Sequence, residues 1–420
     1  MRRNGVDVWK RYQCVQVFKQ DHHSTIGGIN YAHVVAQYLY GSSMAYWCKV
    51  IVFSFFFSGQ ITVTRQGRDL LNFYSYRYKE RDDYNYIAAR LVEIAGDRGD
   101  AAECSEVFSL AQVWFTLRKL RLSWASTRGY HAGFLQRISA TVLIAKFWST
   151  SGRLPPELLQ GRKCVVTFCD AGPYDNLVAQ IAKLSGVRTL TAQHGQYRVL
   201  DETNISIDAE AYANFISDRL LCWGEATCAE FVRFGIDRRR LYTVGWIRPW
   251  DPIFRSDEPT GTFGVMLNGE NGAESNLELI RAANAVADEL NLRYVVRLHP
   301  SYTPAIYRSL VSSACKSVRV IPMAEYVRTV DFSIAHMSGA TVEMLQVDSP
   351  VYALDDGRLA DAFKPAGLSF RGIDNLVSAI RADQLDGNWC RNRTRELKKW
   401  FNDDTEQESR ILTAMFTQEL

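Results

Sequence analysis

Short apolar runs alternate with helical segments from about residue 160 onward, and this alternation limits the fold more than any other feature of the chain. Runs at 163–170 and 187–194 flank a helical segment at 174–185, which Gly186 follows directly. Glycine commonly ends a helix in this position. Strands that alternate with helices of this length predict βαβ units around a parallel sheet.

The pattern continues through a strand at 218–223, a helix at 225–234 that Gly235 ends, and a strand at 241–245. The segment 248–262 is rich in proline and polar residues and predicts a linker. A second alternation follows, with strands predicted at 263–268, 293–298, 318–321, 331–335 and 351–354 and helices at 275–290, 303–314, 339–347 and 374–382.

The sequence therefore predicts an α/β protein with two Rossmann-like domains, 1–255 and 260–395. The tail from Thr394 has a helical pattern with a strongly charged face. It predicts a C-terminal helix, 396–420, that packs back on the first domain.

The first 150 residues give a weaker pattern, with helices predicted at 27–47, 84–96 and 106–122. The segment 75–86 is dense in charge and tyrosine, which predicts either a solvated surface or an acceptor-binding surface. The apolar run 50–57 is much shorter than the roughly 20 residues that span a bilayer. It predicts a buried strand or helix, although the surrounding Tyr, Trp, Lys and Arg side chains leave contact with a membrane surface open.

Composition excludes several classes of function. The net charge of +3 gives no general field for nucleic acid. Nine cysteines occur without a CxxC pair, which predicts free thiols in a reducing cytoplasm and no zinc site. The N-terminus lacks the apolar segment of a signal peptide. We expect a cytoplasmic protein without a metal or resident cofactor.

Polar residues follow two strands of the predicted second domain. His299 and Pro300 end one strand, and Ser338 and Gly339 open a helix after another. Ligands bind at the C-terminal edge of open parallel sheets, and free N–H groups at a helix N-terminus favour phosphate. His299 could donate to a phosphate oxygen. Glu343, one turn into the helix, could bind a ribose diol. These residues predict a nucleotide site.

Glu270 lies in a glycine-rich loop after the first strand of this domain. The loop could contact a pyrophosphate or a base, and an ordinary turn explains it equally well.

Gln193, His194 and Gly195 end a strand of the first domain, where Gln193 and Gly195 could contact an acceptor. His194 could act as a general base or bind substrate. Asp170 ends the preceding strand and could orient His194, act as the base itself, or cap the following helix. Two further residues, Arg248 and His23, could contact an acceptor, and a surface position explains either of them as well.

Together these residues resemble the GT-B glycosyltransferases that build bacterial capsule and lipopolysaccharide. Gln193-His194-Gly195, Trp223-Gly224-Glu225 and Thr243-Val244-Gly245 are similar to motifs of the first domain in that group. His299-Pro300 and Ser338-Gly339-Ala-Thr-Val-Glu343 resemble its nucleotide-binding half, with similar elements in Kdo transferases and polysialyltransferases. The resemblance covers about residues 160–360 and implies that His299 and Ser338 contact the donor phosphate. Gly339 departs from CMP-sugar enzymes, which more often carry Ser or Thr there.

The resemblance implies a metal-independent transfer of a sugar, such as Kdo or sialic acid from a CMP-sugar, to a glycan or lipid-linked glycan. Three alternatives stay open. The Ser-Gly-x-x-x-Glu arrangement also resembles UDP-N-acetylglucosamine 2-epimerases, and a CDP-polyol phosphotransferase or a non-catalytic glycan-assembly module would use the same fold.

Overall fold

The computed structural model describes residues 2–64, 69–75, 82–195, 210–247, 259–300, 302–365 and 367–417. The chain forms two compact α/β units. The first comprises Met1–Cys222, Phe231–Pro249 and Glu406–Leu420, and the second comprises Trp223–Glu230 and Trp250–Thr405.

The first unit is built around a seven-stranded sheet. Its strands are β3 (Phe57–Thr64), β4 (Leu70–Ser75), β5 (Gly99–Phe108), β6 (Cys164–Thr167), β7 (Arg188–Ala192), β8 (Arg219–Cys222) and β9 (Leu241–Thr243). They lie in the order β3-β5-β4-β6-β7-β8-β9, and each neighbouring pair is parallel except β3 with β5. A two-stranded hairpin, β1 (Thr25–Ile26) and β2 (Ile29–Asn30), precedes this sheet.

Helices cover both faces of this sheet. They are α1 (Arg2–Gln20), α2 (Tyr31–Val35), α3 (Met44–Phe56), α4 (Asp82–Ala95), α5 (Leu110–Ser126), α6 (Phe134–Ser151), α7 (Pro173–Leu184) and α8 (Glu210–Ala213), while α9 (Glu225–Arg233) follows β8. Val165 of β6 packs in a core with residues of α1, α2, α3, α6 and α7. Its neighbour Val166 packs in a second core with α4. Alternate side chains of one strand thus fill two layers, as in other parallel sheets.

The last helix, α16 (Gln407–Phe416), completes the second of these cores. Its residues Ile411, Ala414 and Met415 are buried against that face of the first-unit sheet. The predicted packing of a C-terminal helix on the first domain is therefore confirmed. The predicted single long helix is not found, because α15 (Gly387–Phe401) ends before Asn402 and Glu406 adopts a left-handed φ of 52° at the start of α16.

The second unit has six parallel strands. They are β10 (Thr262–Met266), β11 (Arg293–Arg297), β12 (Cys315–Arg319), β13 (Ser333–Ala335), β14 (Val351–Asp355) and β15 (Ser369–Arg371), in the order β12-β11-β10-β13-β14-β15. Counted along the chain this is the 3-2-1-4-5-6 order of dinucleotide-binding sheets, and the order reverses between β10 and β13. Two Rossmann-like units with a terminal helix on the first are the elements of the GT-B class, so the predicted fold class is confirmed.

The remaining helices of the second unit are α10 (Ala273–Leu290), α11 (Tyr307–Leu310), α12 (Met323–Thr329), α13 (Gly339–Gln346) and α14 (Ile373–Leu385). The helix predicted at 303–314 shrinks to α11. Ser312 is instead held in a turn, where its N–H donates to the Asn284 side chain.

The first 150 residues differ most from the prediction. The apolar run 50–57 lies mostly in α3, and Phe57 already begins β3. Val50 is buried as predicted, but Val52 is 54% exposed and the phenylalanines are only half-buried. The segment 99–108 is a strand that replaces the beginning of the helix predicted at 106–122. Among the described residues, no helix is long and apolar enough to cross a membrane.

Candidate functional site

The C-terminal edge of the second-unit sheet collects polar side chains from four strands. Parallel pairing of β11, β10, β13 and β14 brings the loops after these strands to one edge. Loops 268–272 and 336–338 flank the point where the strand order reverses. In open α/β sheets this is where a ligand binds, so the structure places the predicted nucleotide residues at the expected edge.

His299 lies next to the loop that follows β10. A Cβ atom added at Gly269 would lie 3.6 Å from Nδ1 of His299, which places the imidazole directly against that loop. His299 and Pro300 are exposed, and the N–H of Tyr302 donates to the His299 carbonyl at 3.0 Å to close the turn. Glu270 is also exposed, in the short 3₁₀ turn Glu270–Gly272. The structure therefore brings His299 and the Glu270 loop together.

The N-terminus of α13 is the better of two anion sites at this edge. Ser338 caps α13 with its Oγ, which accepts from the N–H of Ala340 at 3.2 Å, and the first turn of α13 carries no acidic residue. The first turn of α10, by contrast, carries Glu274, and Glu270 precedes it. Carboxylates at a helix N-terminus compete with a bound anion for the same N–H groups.

Gly339 and Glu343 lie on the same helix. Gly339 is exposed, and an added Cβ would meet open space, so packing does not require glycine there. Glu343 is half-buried one turn further into α13. The N–H groups of the first turn of α13 are thus approachable, as the predicted phosphate contact needs.

Asn276, which sequence reasoning missed, fixes the loop after β10. It is fully buried. Its side-chain oxygen accepts from the N–H of Asn268 at 2.8 Å, while its Nδ2 donates to the Asn268 carbonyl and to the Tyr307 hydroxyl. These two hydrogen bonds to the backbone of Asn268 hold the loop that touches His299. An asparagine inside an apolar helical pattern was the available signal.

A second missed group joins the ends of β13 and β14. Nε2 of buried His336 lies 3.1 Å from Oδ1 of Asp356, and the hydroxyl of Ser275 donates to Oδ2 of Asp356 at 2.6 Å. Burial alone would raise the pKa of Asp356, but the bonds from His336 and Ser275 outweigh it and hold that pKa well below its ordinary value. Asp356 is therefore a fixed negative charge at the site edge.

A cavity of about 470 Å³ adjoins Asp356. Its lining side chains include four carboxylates and two guanidinium groups, of Glu274, Glu278, Asp355, Asp356, Arg281 and Arg358. Arg358 is itself paired with Glu274 at 2.6 Å. Because carboxylates outnumber guanidinium groups, the cavity suits the hydroxyl groups of a ligand better than its phosphate. The N-terminus of α13 is the better place for a phosphate.

In the first unit, Gln193, His194 and Gly195 follow β7 as predicted. The His194 ring is half-buried between Tyr84 and Phe168, with ring centroids 5.7 and 4.8 Å away. Its Nδ1 lies 3.4 Å from the Ala192 carbonyl. If Nδ1–H donates there, Nε2 carries the basic lone pair.

Gln193 and Gly195 act locally. Gln193 is fully buried, and its side-chain nitrogen donates to the Gly195 carbonyl at 2.9 Å. This bond fixes the turn that carries His194 and gives Gln193 a positioning role.

The structure gives Asp170 a different environment from the one expected. Its buried carboxylate accepts from the Thr167 hydroxyl and from the N–H groups of Ile216 and Ser217, and the Ser217 hydroxyl adds a fourth bond. Burial raises its pKa, against these bonds. Helix α7 is preceded by Gly172 as its cap rather than by Asp170. These contacts make Asp170 an anchor for the 216–217 turn and do not support a role as the base.

His23 lies away from His194 in the fold. It follows Asp21, whose Oδ1 lies 2.7 Å from its Nδ1, and the adjacent Ser24 bonds to Asn30. Asn30 in turn bonds to Gln180, near the C-terminal end of α7. Because α7 leads from the end of β6 to the start of β7, this is the sheet edge opposite His194. The position does not support an acceptor role for His23.

Arg248, the remaining predicted acceptor residue, lies outside the described residues. Within the described ranges, Asp21, His22 and His23 form one group whose ligand atoms lie within 4.8 Å of one another. The His23 N–H donates to the Asp21 carboxylate, which caps the 3₁₀ turn His22–Ser24, and this bond explains the arrangement without an ion.

After Gly195 the described part of the chain resumes at Glu210, which lies in a buried polar network. Lys19 donates to Oε2 of Glu210 at 2.8 Å, and the Tyr40 hydroxyl donates to Oε1 at 2.5 Å. One turn later Asn214 bonds to Nδ1 of His33 at 2.7 Å. This network ties α8 to helices α1 and α2.

The network predicts a pH effect on stability. Burial, followed by the charge of Lys19, lowers the pKa of His33 from 6.5 to about 4. His33 stays neutral in the folded protein, while the same residue in the unfolded chain gains a proton below pH 6.5. The free energy of unfolding therefore decreases as the pH is lowered from 7 towards 4. We expect the free energy of unfolding to drop by about 2 kcal/mol more between pH 7 and 5 in the wild type than in His33→Gln.

Urea unfolding at the two pH values measures this difference. His22→Gln is the matched control, because the side chain of His22 is 85% exposed, and it should follow the wild type. Equal pH dependence in the wild type and His33→Gln would contradict the prediction.

Comparisons with known proteins give structural similarity only. No protein-family model and no curated protein matches the chain. A UDP-GlcNAc 2-epimerase from Methanocaldococcus jannaschii is similar over 82% of this chain and 99% of its own, with 12% identity and a TM-score of 0.49. The Neisseria meningitidis UDP-GlcNAc 2-epimerase bound to UDP-GlcNAc covers 83% and 97%, with 12% identity and a TM-score of 0.46.

The calicheamicin glycosyltransferase CalG4 is similar over 85% of this chain and 100% of its own, with 12% identity and a TM-score of 0.43. With TM-scores below 0.5 and such low identity, these similarities establish no ligand and no reaction for this chain.

Proposed function

We propose that the protein is a nucleotide-sugar-dependent glycosyltransferase that transfers a sugar to a bacterial surface glycan. The observation that carries the proposal is the arrangement in the second unit. His299 and the acid-free N-terminus of α13 lie at the C-terminal edge of a 3-2-1-4-5-6 sheet, on either side of the strand reversal. This is a site for a nucleotide phosphate.

The donor is assigned to the second unit. Its phosphate accepts from the N–H of Gly339 at the start of α13 and from the Ser338 hydroxyl, while His299 donates from the neighbouring loop. Glu343 or Glu270 takes hydroxyl groups of the ribose or sugar. Helix N–H groups and an imidazole aimed at the leaving phosphate supply the charge stabilisation that a metal gives elsewhere, so no metal is proposed.

The acceptor is assigned to the first unit, with His194 as the base. The acceptor oxygen attacks the anomeric carbon, and the bond from that carbon to the donor phosphate oxygen breaks. Nε2 of His194 takes the hydroxyl proton, and the electron pair leaves with the nucleotide phosphate. Sequence resemblance favours a CMP-linked donor of the Kdo or sialic acid type.

A thermal-shift panel with CMP, CDP, UDP, GDP and ADP in EDTA tests donor binding. A nucleotide at 100 times its Kd should add about 2.7 kcal/mol of stability. In His299→Ala we expect the affinity for that nucleotide to fall by about 10- to 100-fold, because a hydrogen bond to a charged phosphate is lost.

His23→Ala is the matched control, since that histidine is also exposed but lies in the first unit. It should bind the nucleotide like the wild type. If no nucleotide stabilises the protein, the transferase proposal fails and a glycan-assembly module becomes the better explanation. If His299→Ala binds as tightly as the wild type, the donor site is misplaced.

A UDP-sugar 2-epimerase is the second candidate. Ser338, Gly339 and Glu343 form the Ser-Gly-x-x-x-Glu pattern that resembles those enzymes. A Cβ added at Gly339 would meet open space. An epimerase would convert UDP-N-acetylglucosamine without an acceptor, which NMR of the sugar detects directly. A transferase needs a glycan acceptor and releases the nucleotide, whereas a CDP-polyol phosphotransferase would release CMP from CDP-glycerol.

A further inference from the structure

Helix α5 has an inverted distribution of polar and apolar residues. Its buried positions are polar, namely Gln112, Thr116, Ser123 and Ser126. The side chain of Gln112 donates to the Thr116 hydroxyl, which donates to the Ser54 carbonyl. A helix of a water-soluble protein normally buries its apolar side, so the opposite side of α5 needs an explanation.

The outward side of α5 is apolar and aromatic. Leu110, Trp114, Leu117 and Trp124 are 68%, 57%, 47% and 39% exposed. With Arg121 they recur every three or four residues and therefore lie on one side of the helix. We call these five residues the α5 face. Phe134, 75% exposed, extends it, with its ring 6.5 Å from Trp124.

The charged residues along α5 and α6 have a single sign. Between residues 109 and 156 the sequence has seven lysines and arginines and no aspartate or glutamate. The Arg118 guanidinium lies 4.8 Å from the Trp114 ring centre, and that of Arg137 lies 4.3 Å from the Trp124 ring centre. Basic groups therefore border the exposed indole rings directly.

This charge distribution discriminates between two occupants. A symmetric dimer would bring the α5 face against its own copy, which would juxtapose arginines without local carboxylates to pair them. An anionic lipid surface neutralises the same arginines and accepts the tryptophan and leucine side chains. Helices with Trp and Leu beside Lys and Arg bind in the interface of such membranes.

We propose that the α5 face docks the protein on an anionic lipid surface. Trp114, Trp124, Leu110 and Leu117 enter the boundary between headgroups and acyl chains, and Arg118 and Arg121 contact lipid phosphates. The proposed contact is peripheral, because no described helix, α5 included, is long and apolar enough to span a bilayer. The proposal does not depend on the proposed enzymatic function.

Flotation of the full chain with vesicles tests this surface. One set of vesicles contains phosphatidylcholine alone, and the other contains phosphatidylcholine with phosphatidylglycerol. We expect binding to the anionic set that weakens as salt is raised. Arg118→Gln/Arg121→Gln should bind about 30-fold more weakly, because each basic residue near an anionic surface raises the affinity by somewhat less than about tenfold.

Trp114→Ser/Leu117→Ser should bind at least about tenfold more weakly through loss of apolar contact. Matched controls come from the second unit. Ile306→Ser/Leu385→Ser removes two apolar side chains that are 59% and 86% exposed, and Arg293→Gln/Arg308→Gln removes two exposed charges. Both controls should bind like the wild type.

Light scattering of the free protein is measured alongside, as is its melting temperature. The four altered side chains, three on the α5 face and Arg118 beside it, are exposed, so the variants should melt like the wild type. Absence of binding to anionic vesicles, or equal binding to both sets, overturns the proposal. A dimer that Trp114→Ser/Leu117→Ser dissociates, without vesicle binding by the wild type, would assign the α5 face to self-association instead.

Discussion

His194→Ala is expected to lower kcat for glycosyl transfer by about 10²- to 10⁴-fold, the usual contribution of a general base. The His194 ring is held between Tyr84 and Phe168, and its turn is fixed by Gln193. Removing the ring takes away the proton acceptor but leaves this support in place. Because the donor is assigned to the second unit, KM for the nucleotide sugar should stay within about threefold, a change of less than 1 kcal/mol.

Steady-state assays with saturating acceptor measure this effect, and the pH profile distinguishes chemistry from structure. The wild type should lose activity on the acid side as the base is protonated, and His194→Ala should lose that dependence. His22→Ala, an exposed histidine of the same unit, is the control. A kcat within threefold of the wild type in His194→Ala would show that another group accepts the proton.

The second large effect is on stability. Lys19→Met leaves Glu210 buried without its cation, because the two side chains are 3% and 1% exposed and 2.8 Å apart. Burial lowers the pKa of Lys19, although Glu210 opposes that shift. Breaking one side of such a pair typically costs about 3–5 kcal/mol. We expect a loss of this size in the free energy of unfolding, measured in urea.

The double variant Lys19→Met/Glu210→Gln should recover at least half of that loss, since it leaves no unpaired charge. Arg239→Met is the control, because Arg239 pairs with Asp237 on the surface and is 89% exposed. It should change stability by less than about 1 kcal/mol. If Lys19→Met is as stable as Arg239→Met, the buried pair contributes little.

The elements predicted from the sequence are those whose pattern is local. The strands β6 and β11 contain short apolar runs, and Gly186 and Gly235 follow helices with φ of 71° and 92°, which favours glycine. The C-terminal edge followed from this alternation, because parallel strands place all their ends together. His299 and Ser338 can therefore be assigned to one edge from the sequence alone.

What the sequence did not predict depends on contacts between distant residues. Strand β5 lacks an apolar run, because several of its positions are only half-buried and acidic residues occupy some of them. It is a strand because it pairs with β3 and β4. Asp356 is one of two adjacent aspartates that belong to no sequence motif. Only the pairing of β13 with β14 brings it to His336. The sequence predicts a helix at 106–122, but it does not show whether the apolar side of that helix faces the core or the solvent.

The position of α16 has a consequence for biosynthesis. Ile411, Ala414 and Met415 fill the same core as Leu70 and Val166, which the ribosome makes more than two hundred residues earlier. While the second unit is being translated, the nascent first unit therefore exposes the apolar face that α16 later covers. Such exposed apolar surface favours aggregation. Domains usually finish folding in the order in which they are made, but here the N-terminal unit is completed last.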